Sequence, residues 1–467
     1  MKNTYALLGP DFSKSAQPQG CINPKLIQFN QSLAVELDLP LENIEFLSGN
    51  QIPQGAQPLA MAYAGHQFGG FNPQLGDGRA ILLGEVKSHS IQLKGAGKTF
   101  FSRNGDGYSA LGPVLREYLV SEAMAKLGVP TTRALAAITS DNKVMREQLL
   151  PSGILTRIAR SYIRVGTFQY FAAKGEQHNI KKLADYMIQQ HFPELLKSKD
   201  CYLGFLKMVI DRQAALIAKW MHLGFIHGVM NTDNMSVIGE TLDYGPCAFM
   251  DGFKADQVYS YIDQYGRYAY NQQANIGLWN LSRFAETLLP LLGDQKRAEA
   301  ALNDYPRQYQ NYWLTGMRHK LGLQCELNND QTLITELFDI MASQQADFTL
   351  TFYYLSQLNQ IPDQQDNQWL ALFLDNKEAT DWLIKWRKRL TQETHNKQPI
   401  NNINPAYIPR NHQIAKVIKA AEQNQDFKPF KQLLKVLQNP YQIQEGWESY
   451  LSAPNPDEIV KQTFCGT

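Results

Sequence analysis

The residues best suited to chemistry lie in one short run, Phe225-Ile226-His227-Gly228-Val229-Met230-Asn231-Thr232-Asp233-Asn234, followed after an apolar stretch by Leu242-Asp243-Tyr244-Gly245. Phosphoryl-transfer loops of the form H-x-D-x-x-x-x-N hold a proton acceptor and a metal-binding Asn on one loop, and an Asp on the next strand completes the metal site. His227 and Asn234 have that spacing. The acceptor's position is Val229, which cannot take a proton, and Asp233 stands beside Asn234 instead. An isolated Asp-Asn in a polar loop is ordinarily an Asx turn next to a core histidine. Here the order is a strand-like run, a polar loop, an apolar stretch at 235–238 and then Asp243, which is the order a metal site needs. Two hard oxygen donors joined by phosphate oxygens suit Mg²⁺ or Mn²⁺.

A kinase-like small lobe should also supply a strand Lys held by a helix Glu, because the ammonium must be fixed against phosphate oxygens. Lys94 ends a strand-like run and Glu117 lies in the helix that follows. Taken alone, such a pair is as well read as solvated surface charge. Glycine-rich turns let backbone amides approach phosphate without Cβ interference. Two are present, Gly76-Asp77-Gly78-Arg79 and Arg103-Asn104-Gly105-Asp106-Gly107, and neither is a Walker motif. Arg157, Arg160 and Arg164 follow within eight residues; guanidinium forks suit a polyphosphate, although ion pairing between lobes is an equally ordinary use of them.

The elements that must position these groups are readable from periodicity. Short aliphatic runs at 79–86 and 90–94 predict strands. Pro113, then Leu115, Leu119, Ala123 and Leu127 at four-residue steps, then Gly128 and Pro130, predict one helix with its start and stop signals. Further strands are expected at 134–138, 143–146 and 154–158. One helix among several antiparallel strands describes an α+β lobe, placed at 1–165 with an N-terminal extension. From about Gly166 the pattern becomes helical through Leu437, with 202–223 ending at Gly224, and only 225–250 interrupts it as a catalytic-loop segment. A mainly helical lobe is therefore expected over 166–467. Polar stretches at 359–368 and 392–404 read as loops.

Composition narrows the classes. An apolar fraction of 44% against 19% charged residues in 467 suits an ordinary water-soluble globular protein with a sizeable core rather than a disordered chain. A net charge of +1 provides no field to collect nucleic acid or an anionic membrane. Five scattered cysteines form no zinc or redox motif, the first twenty residues lack a targeting pattern, and no segment is apolar enough to span a bilayer, so cytoplasmic residence is expected.

The strings AGHQFGGFNPQLGDGRA, QLKGAGKTFFSRNGDG, GVPTTRAL, HGVMNTDNMS and LDYGP together resemble the selenoprotein O family of AMP transferases, which have a two-lobed protein-kinase-like fold. The resemblance spans nearly the whole chain. It implies ATP bound in an inverted orientation, with AMP passing to Ser, Thr or Tyr hydroxyls of protein substrates. It further implies that Lys94, Arg157 and Arg164 hold the triphosphate, that Glu117 fixes Lys94, and that Gly76, Gly78, Arg79, Asp106, Gly107 and Asp243 belong to the nucleotide site. Asp233 would be the catalytic base, and Asn234 with Asp243 would bind Mg²⁺ or Mn²⁺. Transfer of UMP from UTP with Mn²⁺ is also compatible with the family, while Val229 motivates a third reading, a non-catalytic pseudokinase scaffold. A monomer without nucleic-acid or membrane partners is expected. Relatives with a C-terminal Cys or selenocysteine make Cys465 a candidate redox switch; the partner position within 257–267 holds no Cys here, which leaves Cys247 as the nearby substitute.

Overall fold

The computed structural model describes residues 1–39, 42–358, 366–393 and 402–464. Its fold is α+β and kinase-like, with an antiparallel sheet towards the N-terminus and helices beyond it. The strands are β1 (Ser13–Ser15), β2 (Lys25–Phe29), β3 (Leu59–Met61), β4 (Gly65–Gln67), β5 (Gly70–Asn72), β6 (Ala80–Val86), β7 (His89–Lys94), β8 (Ser109–Ala110), β9 (Arg133–Met145), β10 (Leu149–Ala159), β11 (Phe225–Ile226) and β12 (Ala248–Phe249). The main sheet runs β1-β3-β6-β7-β10-β9-β2, with β8 on β10, and its pairings are antiparallel.

Register decides which side chains share a face. Gln92 and Lys94 are two apart on β7, and Arg157 of β10 lies directly opposite Gln92. Period-two alternation therefore puts Gln92, Lys94 and Arg157 on one surface. The expected helix is Leu111–Lys126, with Pro113 in its first turn and Gly128 at φ +74° after its end. It packs against β9 and β10 and presents Glu117 to that same surface.

Two departures from the sequence expectation have physical causes. The strands expected at 134–138 and 143–146 are one continuous strand, β9, because β10 pairs with it on both sides of the polar Ser140-Asp141-Asn142. A bulge between Pro151 and Gly153 absorbs the irregularity there. Of the loop expected at 359–368, residues 366–368 open the short helix Asp366–Leu370; most of both expected loops lies outside the described residues, as does Cys465.

In the helical part, the 202–223 pattern forms Cys201–His222, and Gly224 at φ +64° ends it. The antiparallel pair of β11 and β12 closes 225–249 into a loop, and a bridge between Met235 and Thr241 pinches it again. That double closure draws Asn234 and Asp243 to one place. The helices Asn411–Asn424 and Lys428–Leu437 return to pack on Leu111–Lys126. There Gly112 N–H donates to Glu422 Oε1 at 3.1 Å, and the Tyr118 and Phe430 rings meet edge to face at 5.6 Å.

Candidate active site

Between the sheet and the helical part lies a cleft of about 740 Å³. It is lined by Gly76, Gly78, Arg79, Lys94, Asp106, Gly107, Arg157, Arg164, Asp233, Asn234 and Asp243, so these eleven residues from distant parts of the chain meet in one hollow. Glu117 stands one layer behind. Its two oxygens accept from Lys94 Nζ at 2.5 Å and from Arg157 Nη1 at 2.9 Å, and it is buried. Arg157 also donates to Gln92 Oε1. Lys94 Nζ reaches forward to Asp243 Oδ2 at 3.1 Å, and Arg157 lies 3.8 Å from the same oxygen. Burial alone would raise the Asp243 pKa; the charges of Lys94, Arg157 and Arg79 hold it well below the usual carboxylate range. Asp243 is thus a fixed anion at the cleft floor.

The 227–234 loop is held from behind. His227 is buried and kept neutral, its pKa pushed down to about 4 by desolvation, and its Nδ1 accepts from Val229 N–H at 3.3 Å. Its role is to shape the loop. Asn234 donates its amide nitrogen to Val229 O at 3.0 Å, which leaves oxygen as the side chain's ligand atom. Asp233 is 8% exposed, one of its oxygens is buried without a partner, and burial raises its pKa to about 6. That value suits a group exchanging protons near neutrality.

The hairpin of β4 and β5 covers this loop and was not singled out by residue type. Its turn residues Phe68 and Gly69 both have positive φ, the geometry of a two-residue type I′ turn. Phe68 N–H donates to Asn231 Oδ1 at 3.1 Å, His66 N–H to Thr232 Oγ1 at 2.7 Å, and Gln67 Nε2 to Asp233 Oδ2 at 3.2 Å. A Cβ at Gly65 would collide with the Asp233 carboxylate, so the approach requires glycine. The string AGHQFGG, with small residues flanking His66 and Gln67, was the available signal.

The two glycine turns form one wall. Thr99 Oγ1 donates to Asp77 O at 2.6 Å and Ser102 to Gly78 O, while Gly76 at φ +69° sits where any Cβ would strike the Phe101 ring. Asp106 is clamped by both terminal nitrogens of Arg146 at 2.8 and 3.2 Å, which lowers its pKa and ties the turn to the end of β9. Arg164 donates to Tyr162 O and Asp233 O, lies 3.8 Å from Asp77 and stacks 4.1 Å over the Tyr63 ring. Asp77, buried between Met61 N–H and Gln92 Nε2, is therefore the hidden partner of the arginine wall. In the sequence Asp77 stands only as the middle of a glycine turn.

The family model described as protein adenylyltransferase SelO matches residues 1–438. A strand Lys paired with a helix Glu, over a loop that presents Asn and Asp to one cleft, defines a kinase-like enzyme that handles nucleotides. The chain belongs to the SelO family. It is 51% identical over 484 residues to the protein nucleotidyltransferase YdiU of Rhizobium johnstonii, covering 100% of this chain and 97% of that one. The protein of the same name from Bradyrhizobium sp. is 51% identical over 486 residues, covering 100% and 99%. This chain is accordingly a nucleotidyltransferase, with a nucleotide as substrate. Among the described residues no helix is long and apolar enough to cross a membrane.

Proposed function

We propose that the protein transfers AMP from ATP to Ser, Thr or Tyr hydroxyls of other proteins. The observation that carries this reading is the buried carboxylate of Asp233, its pKa raised to about 6, next to Asn234 in the cleft that Lys94, Arg157 and Arg164 also line. ATP binds with its α-phosphorus toward Asp233 and its outer phosphates on the cations. Asp233 takes the hydroxyl proton, the oxygen bonds to the α-phosphorus, and the bond to pyrophosphate breaks. Lys94, Arg157 and Arg164 stabilise the charge that develops on the leaving pyrophosphate. The turns around Gly76, Gly78 and Arg79, and around Asp106 and Gly107, line the nucleotide, and Glu117 holds Lys94 and Arg157 in place.

A divalent ion fits the donor set. Asn234 and Asp243 offer an amide oxygen and a carboxylate, both hard ligands, and the pair suits Mg²⁺ or Mn²⁺ that completes its shell with phosphate oxygens and water. Such an ion supplies charge neutralisation at the phosphates.

The test is transfer of label from ATP marked at the α or the γ phosphate to protein. Label arriving from the α position is expected; label from γ alone would make the enzyme a kinase, and none under Mg²⁺ or Mn²⁺ would make it a scaffold. The relatives' name leaves the base open, so UTP is set against ATP under each metal, with ATP expected to win under Mg²⁺.

A further inference from the structure

Away from the cleft, the C-terminal ends of three helices meet around a second hollow of about 200 Å³. Leu111–Lys126 contributes its end, Cys201–His222 contributes Lys219 and His222, and Tyr305–Lys320 contributes His319 and Lys320. Basic groups in a last turn are ordinarily explained by the negative end of the helix dipole and its unpaired carbonyls. Lys219 fits that account, since its Nζ donates to Gly128 O at 2.7 Å. His222 fits it too, with Nε2 2.9 Å from Trp313 O and its ring wedged where any Cβ on Gly316 would collide.

Lys320 does not fit. It is 3% exposed, and among the described residues no charged group bears on its ammonium, which feels desolvation alone. Its described contacts are the faces of the Phe352 and Phe348 rings, 4.2 and 5.7 Å from the centroids. Among the described residues no carboxylate lines the hollow. A buried amine left without an anion is destabilising. Desolvation accordingly pushes the Lys320 pKa down to about 7 and that of His222 to about 4. Lys219, His319 and Lys320 thus line a hollow that, among the described residues, holds no carboxylate.

We propose that this hollow binds a small oxyanion of the phosphate class, with the Lys320 ammonium as its buried contact and Lys219 and His319 at its rim. At about 200 Å³ against about 740 Å³ for the cleft, it has room for phosphate or diphosphate but not for a nucleotide. The assignment is independent of the reaction proposed for the cleft.

Inorganic phosphate is the probe. It is titrated into the full-length chain with the nucleotide cleft saturated by α,β-methylene-ATP, and binding is read from ³¹P line broadening and calorimetry. Saturable binding that persists under the analogue is expected, weakened at least tenfold in Lys320→Met. That variant should melt no lower than wild type without phosphate, because it exchanges an unpaired amine for an apolar chain of similar length. If it fails to fold, exposed His319→Gln carries the test, with at least a threefold loss expected. Complete displacement of phosphate by the analogue, or unchanged affinity in a folded Lys320→Met and in His319→Gln, would overturn the proposal.

Discussion

At the scale of single residues, Asp233 combines three properties that rarely coincide without a chemical use: burial, an oxygen without a partner, and a pKa raised to about 6 from the ordinary 3.8. The native state binds more protons than the unfolded chain between those two values, so this group's contribution to stability falls as pH rises through that window. Asp233→Asn is therefore expected to gain on the order of 2 kcal/mol of stability at pH 7.5, by urea denaturation, while AMP transfer drops roughly 100-fold or more. A variant that lost both stability and activity would make Asp233 a structural residue. Because the ionised carboxylate accepts the proton, wild-type kcat should climb between pH 5 and 7 and level off above. Gln67 donates to the charged form and lowers the Asp233 pKa. Gln67→Leu should accordingly move the midpoint of that profile to higher pH with little change in ATP affinity, whereas loss of ATP affinity at an unmoved midpoint would contradict a positioning role.

At the scale of elements, the cations depend on a helix that is itself held from the other end of the chain. Glu117 bridges Lys94 and Arg157, and its helix is backed by Phe430, which is fully buried against Tyr118. Truncating a buried Phe costs about 3–5 kcal/mol, and here the cavity would open behind Glu117. Phe430→Ala is expected to lower stability by about that amount and, well below its melting temperature, to weaken ATP binding; unchanged affinity would show that the helix keeps its place without this support. Contacts of this kind mark the limit of what the sequence discloses. The 225–243 loop was legible because its residues are near neighbours whose spacing encodes geometry, and Lys94 and Glu117 because each sits in an element with a clear period. The packing of 411–437 onto 111–126 joins residues some three hundred positions apart and leaves no periodic trace. The β4–β5 hairpin was equally hidden, since three-residue strands rich in Gly show no alternation. The continuous β9 was obscured by Ser140-Asp141-Asn142, where tertiary pairing overrides local turn preference.

At the scale of the whole molecule, the cleft has no single owner. Lys94, Arg157 and Arg164 come from β7, β10 and the segment after β10, Asp233 and Asp243 from the loop between β11 and β12, and the helix behind Lys94 is braced by the last helices of the chain. A ligand that touches all of these stabilises them together, and binding to the native state alone adds RT ln(1 + [L]/Kd), about 2.7 kcal/mol at a hundredfold excess over Kd. ATP with Mg²⁺ should therefore raise the melting temperature of the entire chain as one transition, and the increment should vanish in Lys94→Met. Two resolved transitions in calorimetry, with ATP moving only one, would mean that the sheet and the helices unfold separately and that one of them binds nucleotide without the other. A single transition that shifts as a unit is the result demanded by a site built from both, because neither Asp243 nor Lys94 keeps its place once its partner across the cleft has unfolded.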